Sequence, residues 1–514
     1  MTGGPTNLQP RERLFIIAAA LLALFLGAMD ALIVSAAMPT IVAELGGLDL
    51  YAWVYSAYFL ARAVSLPVFG KMADLFPTRT LFLVAIALFL FSSLLAGASP
   101  NMGFLIASRV LQGIGAGGNF ALVYIVLADV APPSERARTL ALGSSVWGVA
   151  SLLGPTLGGC IVNYMSWRWI FFINLPLGLF SLVGIGRFLV EFRPKAKEVH
   201  LDLAGVGTLT VTILALLTAF LVGGRTPGGW TAPSTTALLA LSLLAGGAFC
   251  LAERRARDPI LSLAFFANRG FRSGNGAVFL SSFAIFSLFA FAPLYIQGAL
   301  GRSPVEVGMA MLSLSLGWSI GSIVMGRIIQ HLGKRSAAAT GALCLAAGGA
   351  ATLFFSAATA MSTCFVVFLV LGIGMGFVTL STLLVVQNSL GAADLGVATS
   401  SHQFARTLGG SVGVGVCGGF VTAKVSAAVD HLIGTGLLGG TASPLGERLR
   451  ENAAHLFQPE IQAQLPQATL KILQSAVADG VAAVFLTVLI VSLACLICCL
   501  RLPPDPAPGR PLNS

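Results

Sequence analysis

Fourteen long apolar runs limit this 514-residue chain more than any other feature of its sequence. A helix that crosses the hydrocarbon layer needs about 20 mostly apolar residues. Windows of that kind fall near 14–38, 50–70, 79–98, 103–130, 139–162, 169–190, 203–222, 235–252, 271–297, 305–327, 338–357, 361–388, 398–421 and 477–500. Continuous runs of this length exclude a membrane β-barrel, whose strands alternate over about ten residues. The first window holds Asp30 and is too long for a cleavable signal peptide. Only 10% of the residues are charged, against about 25% in a soluble domain. A cytosolic enzyme, a disulfide scaffold and a disordered chain are thereby excluded. The expected fold class is an all-α polytopic membrane protein.

The formal charge of +10 would suit nucleic acid if it were concentrated on one face of a soluble domain. Its placement says otherwise. With the N-terminus in the cytoplasm, twenty of the thirty Lys and Arg residues fall in cytoplasmic segments, seven outside and three within spans. Basic residues set orientation in this way, so both termini are expected inside and no nucleic-acid partner is implied. Trp53, Trp167, Trp169 and Trp230 fall at outer boundaries, where interfacial anchors belong. The eight cysteines lie in or at the ends of apolar spans; Cys495, Cys498 and Cys499 have no His or carboxylate beside them and read as small buried thiols, with no metal.

Two loops repeat one another. Gly70-Lys-Met-Ala-Asp-Leu-Phe-Pro-Thr-Arg79 follows span 2, and Gly326-Arg-Ile-Ile-Gln-His-Leu-Gly-Lys-Arg335 follows span 10. Gly, the next basic residue and the closing Arg coincide at one offset of 256 residues. Residues 1–190 and 271–514 then form two six-helix halves, joined by two additional transmembrane helices in 191–270. Repeats of this kind suggest a transporter with its substrate site between the halves, near the midplane.

At this point the residues carry a family resemblance over nearly the whole chain. The 70–79 loop resembles the cytoplasmic signature of the major facilitator superfamily, and Arg109-Val-Leu-Gln112-Gly113-Ile-Gly115-Ala-Gly117 its span-4 motif. Gly154-Pro155-Thr-Leu-Gly158-Gly159 is similar to the antiporter motif of drug exporters. Trp167-Arg-Trp-Ile-Phe-Phe-Ile-Asn174-Leu-Pro176-Leu-Gly178, Asp30 to Pro39 and Arg406 to Gly413 resemble the fourteen-span drug:proton antiporter family of the EmrB/QacA type. Ala150 and Pro77 depart from the pattern, each where Gly is usual. The resemblance implies a major facilitator fold of fourteen helices in a bacterial inner membrane. It also implies export of amphipathic, cationic drugs in exchange for protons, by alternating access.

Asp30 is the one carboxylate placed well inside an apolar span, and Arg109 lies at similar depth in span 4. Two roles fit Asp30: proton coupling through a switchable contact with Arg109, or a permanent interhelix bond. Arg109 itself could couple to Asp30 or, with Gln112, hold the N-terminal helices together. Arg62, near the middle of span 2, could face a wet cavity, anchor an anionic substrate or bond to carbonyls. Arg406 lies beside His402 and Gln403, and His402 reads as a satisfied bundle histidine. Gly154, Gly158 and Gly159 allow close helix approach, and Pro155 can kink the span; the resemblance adds a hinge or seal against proton leak. Gly70, Asp74 and Arg79 form a candidate gating latch, although Lys71 and Arg79 also set topology.

The expected pocket is apolar and aromatic, with Tyr58, Trp147, Tyr295 and Trp318 as candidates beside Arg62, Gln112 and Arg406. No cluster supports catalysis, and no phosphate loop is present. The chain is therefore expected to be no enzyme and to use no cofactor, the proton gradient driving transport. The polar outer loop 422–476, with short helices near 445–457 and 467–476, either caps the outer mouth or docks a periplasmic adaptor protein. Export of an endogenous lipid or metabolite is the alternative transporter reading, and a sensor or channel is a distinct class.

Overall fold

The structure is a computed structural model and describes residues 9–45, 51–132, 134–191, 202–223, 229–256, 259, 261–302, 304–356, 359–391, 394–435 and 466–504. In lipid, backbone N–H and C=O groups have no water to bond, so the spanning runs close their hydrogen bonds as helices. In chain order these are α1 (Pro10–Leu45), α2 (Tyr51–Leu75), α3 (Thr78–Gly97), α4 (Met102–Val130) and α5 (Arg136–Tyr164). Then come α6 (Trp169–Phe188, with a turn at Ile173), α7 (Leu203–Gly223) and α8 (Pro233–Arg255). The chain continues through α9 (Arg269–Leu294), α10 (Pro304–Leu332), α11 (Lys334–Thr352), α12 (Met361–Asn388), α13 (Leu395–Gly434) and α14 (Gln467–Leu500).

Among the described residues, eleven of these are long and apolar enough to cross a membrane. The other three are α2, α5 and α11. Charged Arg62, Lys71 and Asp74 dilute α2, and small residues dominate α11. All three nevertheless pack as long helices within the same bundle.

Packing repeats as the sequence does. In α1–α6 the contacts are α2 on α4, α3 on α4, α1 on α5 and α1 on α6. In α9–α14 they are α10 on α12, α11 on α12, α9 on α13 and α9 on α14, the same scheme eight helices later. Glycines set the closest seams. A Cβ on Gly321 would lie 2.5 Å from the Ile373 carbonyl oxygen, and one on Gly376 would lie 2.5 Å from the Ser322 amide. In the equivalent seam of the first half, a Cβ on Gly117 would lie 2.7 Å from the Arg62 carbonyl oxygen. The turn after α2 uses Pro77 and the turn after α10 uses Gly333, whose φ of 79° favours glycine. Helices α7 and α8 pack on each other, and α7 lies against α2 and α13. There Leu209, Ile213 and Leu217 meet Leu60 and Ala63.

Two expectations need correction. The loop 422–476 is shorter than expected, because α13 continues to Gly434 and 467–476 forms the first turns of α14. Val429, Leu432, Leu473 and Val477 bury in the core of the second half, so both ends of that segment have packing reasons to stay helical. The helix expected near 445–457 lies outside the described residues. Trp167 is not an interfacial anchor: it is 1% exposed and donates its indole N–H to Glu44 at 2.7 Å. Trp53 and Trp169 are exposed.

Candidate functional site

Helices α1, α2, α3, α4 and α6 converge on one polar cluster inside the first half. Arg109 of α4 donates to the Asp30 carboxylate of α1 at 2.5 Å, and neither side chain is exposed. Three residues on, and so on the same face of α4, Gln112 accepts from Arg109 at 2.7 Å and donates to the other Asp30 oxygen at 2.9 Å. Asn174 of α6 also donates to that oxygen, at 3.3 Å, and to the Ser93 hydroxyl at 3.0 Å. Ser93 in turn donates to the Phe171 carbonyl at 2.9 Å. Arg109 is held further by the Val54 carbonyl at 3.3 Å and by the Tyr58 ring, 4.2 Å away. The Tyr58 hydroxyl donates to the Gly27 carbonyl.

This geometry gives Asp30 three donors, from Arg109, Gln112 and Asn174. A buried charge left without its partner is costly, so the two charged side chains depend on one another.

A second set of residues joins the halves at the end that carries Arg79 and Arg335. The Asp74 carboxylate of α2 accepts from the Gly396 and Val397 amides at 2.8 and 2.9 Å, capping the N-terminus of α13. Amides there are unsatisfied by the helix itself, and the helix dipole favours a negative charge. Gly70 permits this approach: a Cβ there would overlap the Ser400 side chain. In the other half, Gln330 donates to the Ser134 carbonyl at 2.5 Å. Arg136 of α5 reaches Gln387 of α12 at 3.0 Å. Arg79 stays within its own half, donating to the Gly186 carbonyl at the end of α6.

The glycines of the 154–159 stretch are not equivalent. A Cβ on Gly154 would lie 2.9 Å from that of Leu32 in α1, so this glycine is needed for close approach. Gly158 is buried, whereas Gly159 is exposed with nothing within 4 Å of a Cβ. Helix α5 runs through Pro155 without a break.

The expected pocket residues separate into three places. Tyr58 and Gln112 belong to the Asp30 cluster. Arg62 packs its guanidinium 4.1 Å over Phe120 and 5.8 Å from Trp147, while Arg406 lies 5.8 Å from Trp318. Tyr295 is elsewhere, among Phe355 and Phe485 of the second half. His402 is buried and shares a 2.9 Å hydrogen bond with Thr382. Cys495 donates to the Ala277 carbonyl. Asn174 and Ser93 are the partners of Asp30 that the sequence does not announce.

A repeated six-helix bundle with a sealed ion pair in one half and polar locks between halves defines a membrane transporter. The chain belongs to the Major Facilitator Superfamily, whose family description matches residues 20–414. It is 33% identical over 495 residues to the multidrug transporter protein MdtP of Bacillus subtilis (strain 168), covering 93% of this chain and 91% of that relative. It is 30% identical over 485 residues to multidrug resistance protein 3 of the same organism, covering 94% of each. Among solved structures, the human organic anion transporter MFSD10 (TETRAN) superposes with a TM-score of 0.59 over 80% of this chain and 95% of that one. At 18% identity, that likeness concerns the fold. The helices, the family and the relatives together define a multi-pass membrane transporter.

Proposed function

We propose that the chain is a fourteen-span antiporter of the bacterial inner membrane, exporting drug-like amphipathic compounds in exchange for protons. Asp30 carries the proton and Arg109 is its switchable partner. One observation carries this reading: the 2.5 Å pair is fully buried and is bordered by Gln112, Asn174 and Ser93, groups able to replace either partner. The moving bodies are residues 1–190 and 271–514, with 191–270 as the linking helix pair. Both termini lie in the cytoplasm, because basic loops stay inside. The Asp74 and Gln330 contacts then close the cytoplasmic end, and the cycle must break them. No cofactor is required: the membrane potential supplies about 2.3 kcal/mol per charge per 100 mV. Docking of a periplasmic adaptor falls on the outer segment between α13 and α14, most of which lies outside the described residues. The resemblance implies cationic cargo.

The test is transport in proteoliposomes under an imposed pH gradient, with fluorescent probes of both charges. Wild-type protein should move a probe against its gradient and release the effect on adding a protonophore. Asp30→Asn should lose the gradient-driven component. Full gradient-driven transport by Asp30→Asn would remove Asp30 from the role.

A further inference from the structure

We propose that Arg62 and Arg406 form a binding site, between the two halves, for amphipathic organic anions: a carboxylate, sulfonate or phosphate joined to an aromatic or aliphatic body. This rests on the reading of the chain as an exporter with its pocket between the halves, and it replaces the cationic cargo that the resemblance implies.

The two arginines come from opposite halves and sit at matching depth. Arg62 is eight residues before Gly70 on α2, and Arg406 is six residues after Ser400 on α13; Gly70 and Ser400 touch where the helices cross. At a rise of about 1.5 Å per residue, both lie roughly 9–12 Å from that crossing. Trp318 occupies in α10 the repeat position of Arg62, also eight residues before its crossing glycine. Behind Trp147 and Trp318, a Cβ on Gly148 would overlap Ser319, so α5 and α10 meet at this level.

Arg62 and Arg406 are 5% and 3% exposed, yet neither has an ion-pair partner among the described residues. The Nε and one terminal nitrogen of Arg62 are buried without a hydrogen bond. The buried carboxylates described are committed elsewhere: Asp30 to Arg109, and Glu253, on α8, to the Leu261 amide. Buried charges are normally paired, and intramembrane ones mark substrate pathways. Arg62 has neutral partners only for compensation, the Phe120 ring face and the Tyr58 side chain.

The neutral groups around them point the same way. The indole N–H groups of Trp147 and Trp318 are buried and unpartnered, as is the Gln403 amide. Two guanidinium groups and two indoles offer donors only; the Gln403 oxygen is the one acceptor in this set. Such a layer suits an anion, and a planar guanidinium pairs with carboxylate, sulfonate or phosphate oxygens through two parallel bonds. Phe120, Trp147, Trp318 and Phe286, which meets Trp318 edge-on at 6.2 Å, give the apolar body its contacts. A cation would meet two like charges and no carboxylate.

The test is binding to purified full-length protein in nanodiscs of zwitterionic lipid. Carboxyfluorescein and an anilinonaphthalene sulfonate serve as anions, and ethidium and rhodamine 6G as cations. Fluorescence anisotropy and quenching of Trp147 and Trp318 emission give the affinities. At least one anion should bind ten-fold or more tightly than either cation. Arg62→Gln and Arg406→Gln should each weaken it at least ten-fold, with Arg62→Lys and Arg406→Lys weakening it less, because they keep the charge but lose the two-bond fork. The Lys variants, together with a monodisperse elution profile, separate charge loss from misfolding. Preference for the cations, or anion binding unchanged in both Gln variants, would overturn the site. Gradient-driven efflux in the same preparation separates the two readings. Transport of a cation without Arg-dependent anion binding defeats this site and leaves the antiporter. Arg-dependent anion binding without gradient-driven transport defeats the antiporter and leaves the site.

Discussion

Asp74 and Gln330 occupy the same register of the internal repeat, 256 residues apart, and each ties its own half to the opposite one. Their chemistry differs. Asp74 takes two amide hydrogens with a full charge, while Gln330 makes one neutral bond to a carbonyl. Charge-assisted bonds are roughly twice as strong as neutral ones, so the α2–α13 contact is the firmer of the two locks.

Asp74→Ala should therefore favour opening of the basic end by about 1 kcal/mol, the usual cost of losing a helix cap. Gln330→Ala should do less. Distance distributions between spin labels on α3 and α11 would report the widened population. Equal distributions for wild type and Asp74→Ala would show that the cap does not hold the halves.

Removing one member of the Asp30–Arg109 pair strands the other in a sealed site. Arg109→Gln should lower stability by about 3–5 kcal/mol, read as a fall in the melting temperature in detergent. Adding Asp30→Asn should recover part of that loss, because the orphan charge disappears with its partner. Additive losses in the double variant would mean that the two groups do not interact.

Within the 154–159 stretch of α5, Gly154 and Gly159 should part company. Gly154→Ala forces α5 away from Leu32 and should cost about 1–3 kcal/mol, as overpacking does. Gly159→Ala adds a methyl to open space and should leave the melting temperature unchanged. If Gly159→Ala nevertheless slows transport, its role is conformational and not one of packing.

Acid should loosen the end of α1. Glu44 is held below the ordinary carboxylate range, first by its hydrogen bond from Arg168 and then by that from Trp167. Because its pKa is depressed in the folded state, the stabilising contact is present above the ordinary carboxylate pKa and is lost as pH falls through the depressed value. Hydrogen exchange around 165–169 should rise there in the wild type. Glu44→Gln should exchange fast at every pH, with no acid step of its own.

The pairing of Asp30 with Arg109 is legible in the sequence because charges are scarce inside the spans, so matching depths leave few choices. Gln112 follows from its place one turn away. Asn174 and Ser93 escape notice because neutral hydrogen-bonding residues occur in most spans, and only α3 and α6 packing together brings these two to Asp30. The helices α2 and α11 stand out as spans in the repeat more than in their hydropathy. Trp167 reads as an anchor from its position, but a loop folded inward on Glu44 buries it. The aromatic candidates take different ring partners, Tyr295 with Phe355 and Phe485 and Trp318 with Phe286, which depends on helix rotation that no linear spacing fixes.

The glycine seams have a mechanical consequence. With backbone pressed on backbone at Gly117, Gly321 and Gly376, each half resists bending and behaves as a stiff lever. From Arg62 to Gly70 the arm is about 12 Å, at 1.5 Å per residue. Cargo at the proposed site would sit at one end of that arm, with the Asp74 lock that it never touches at the other.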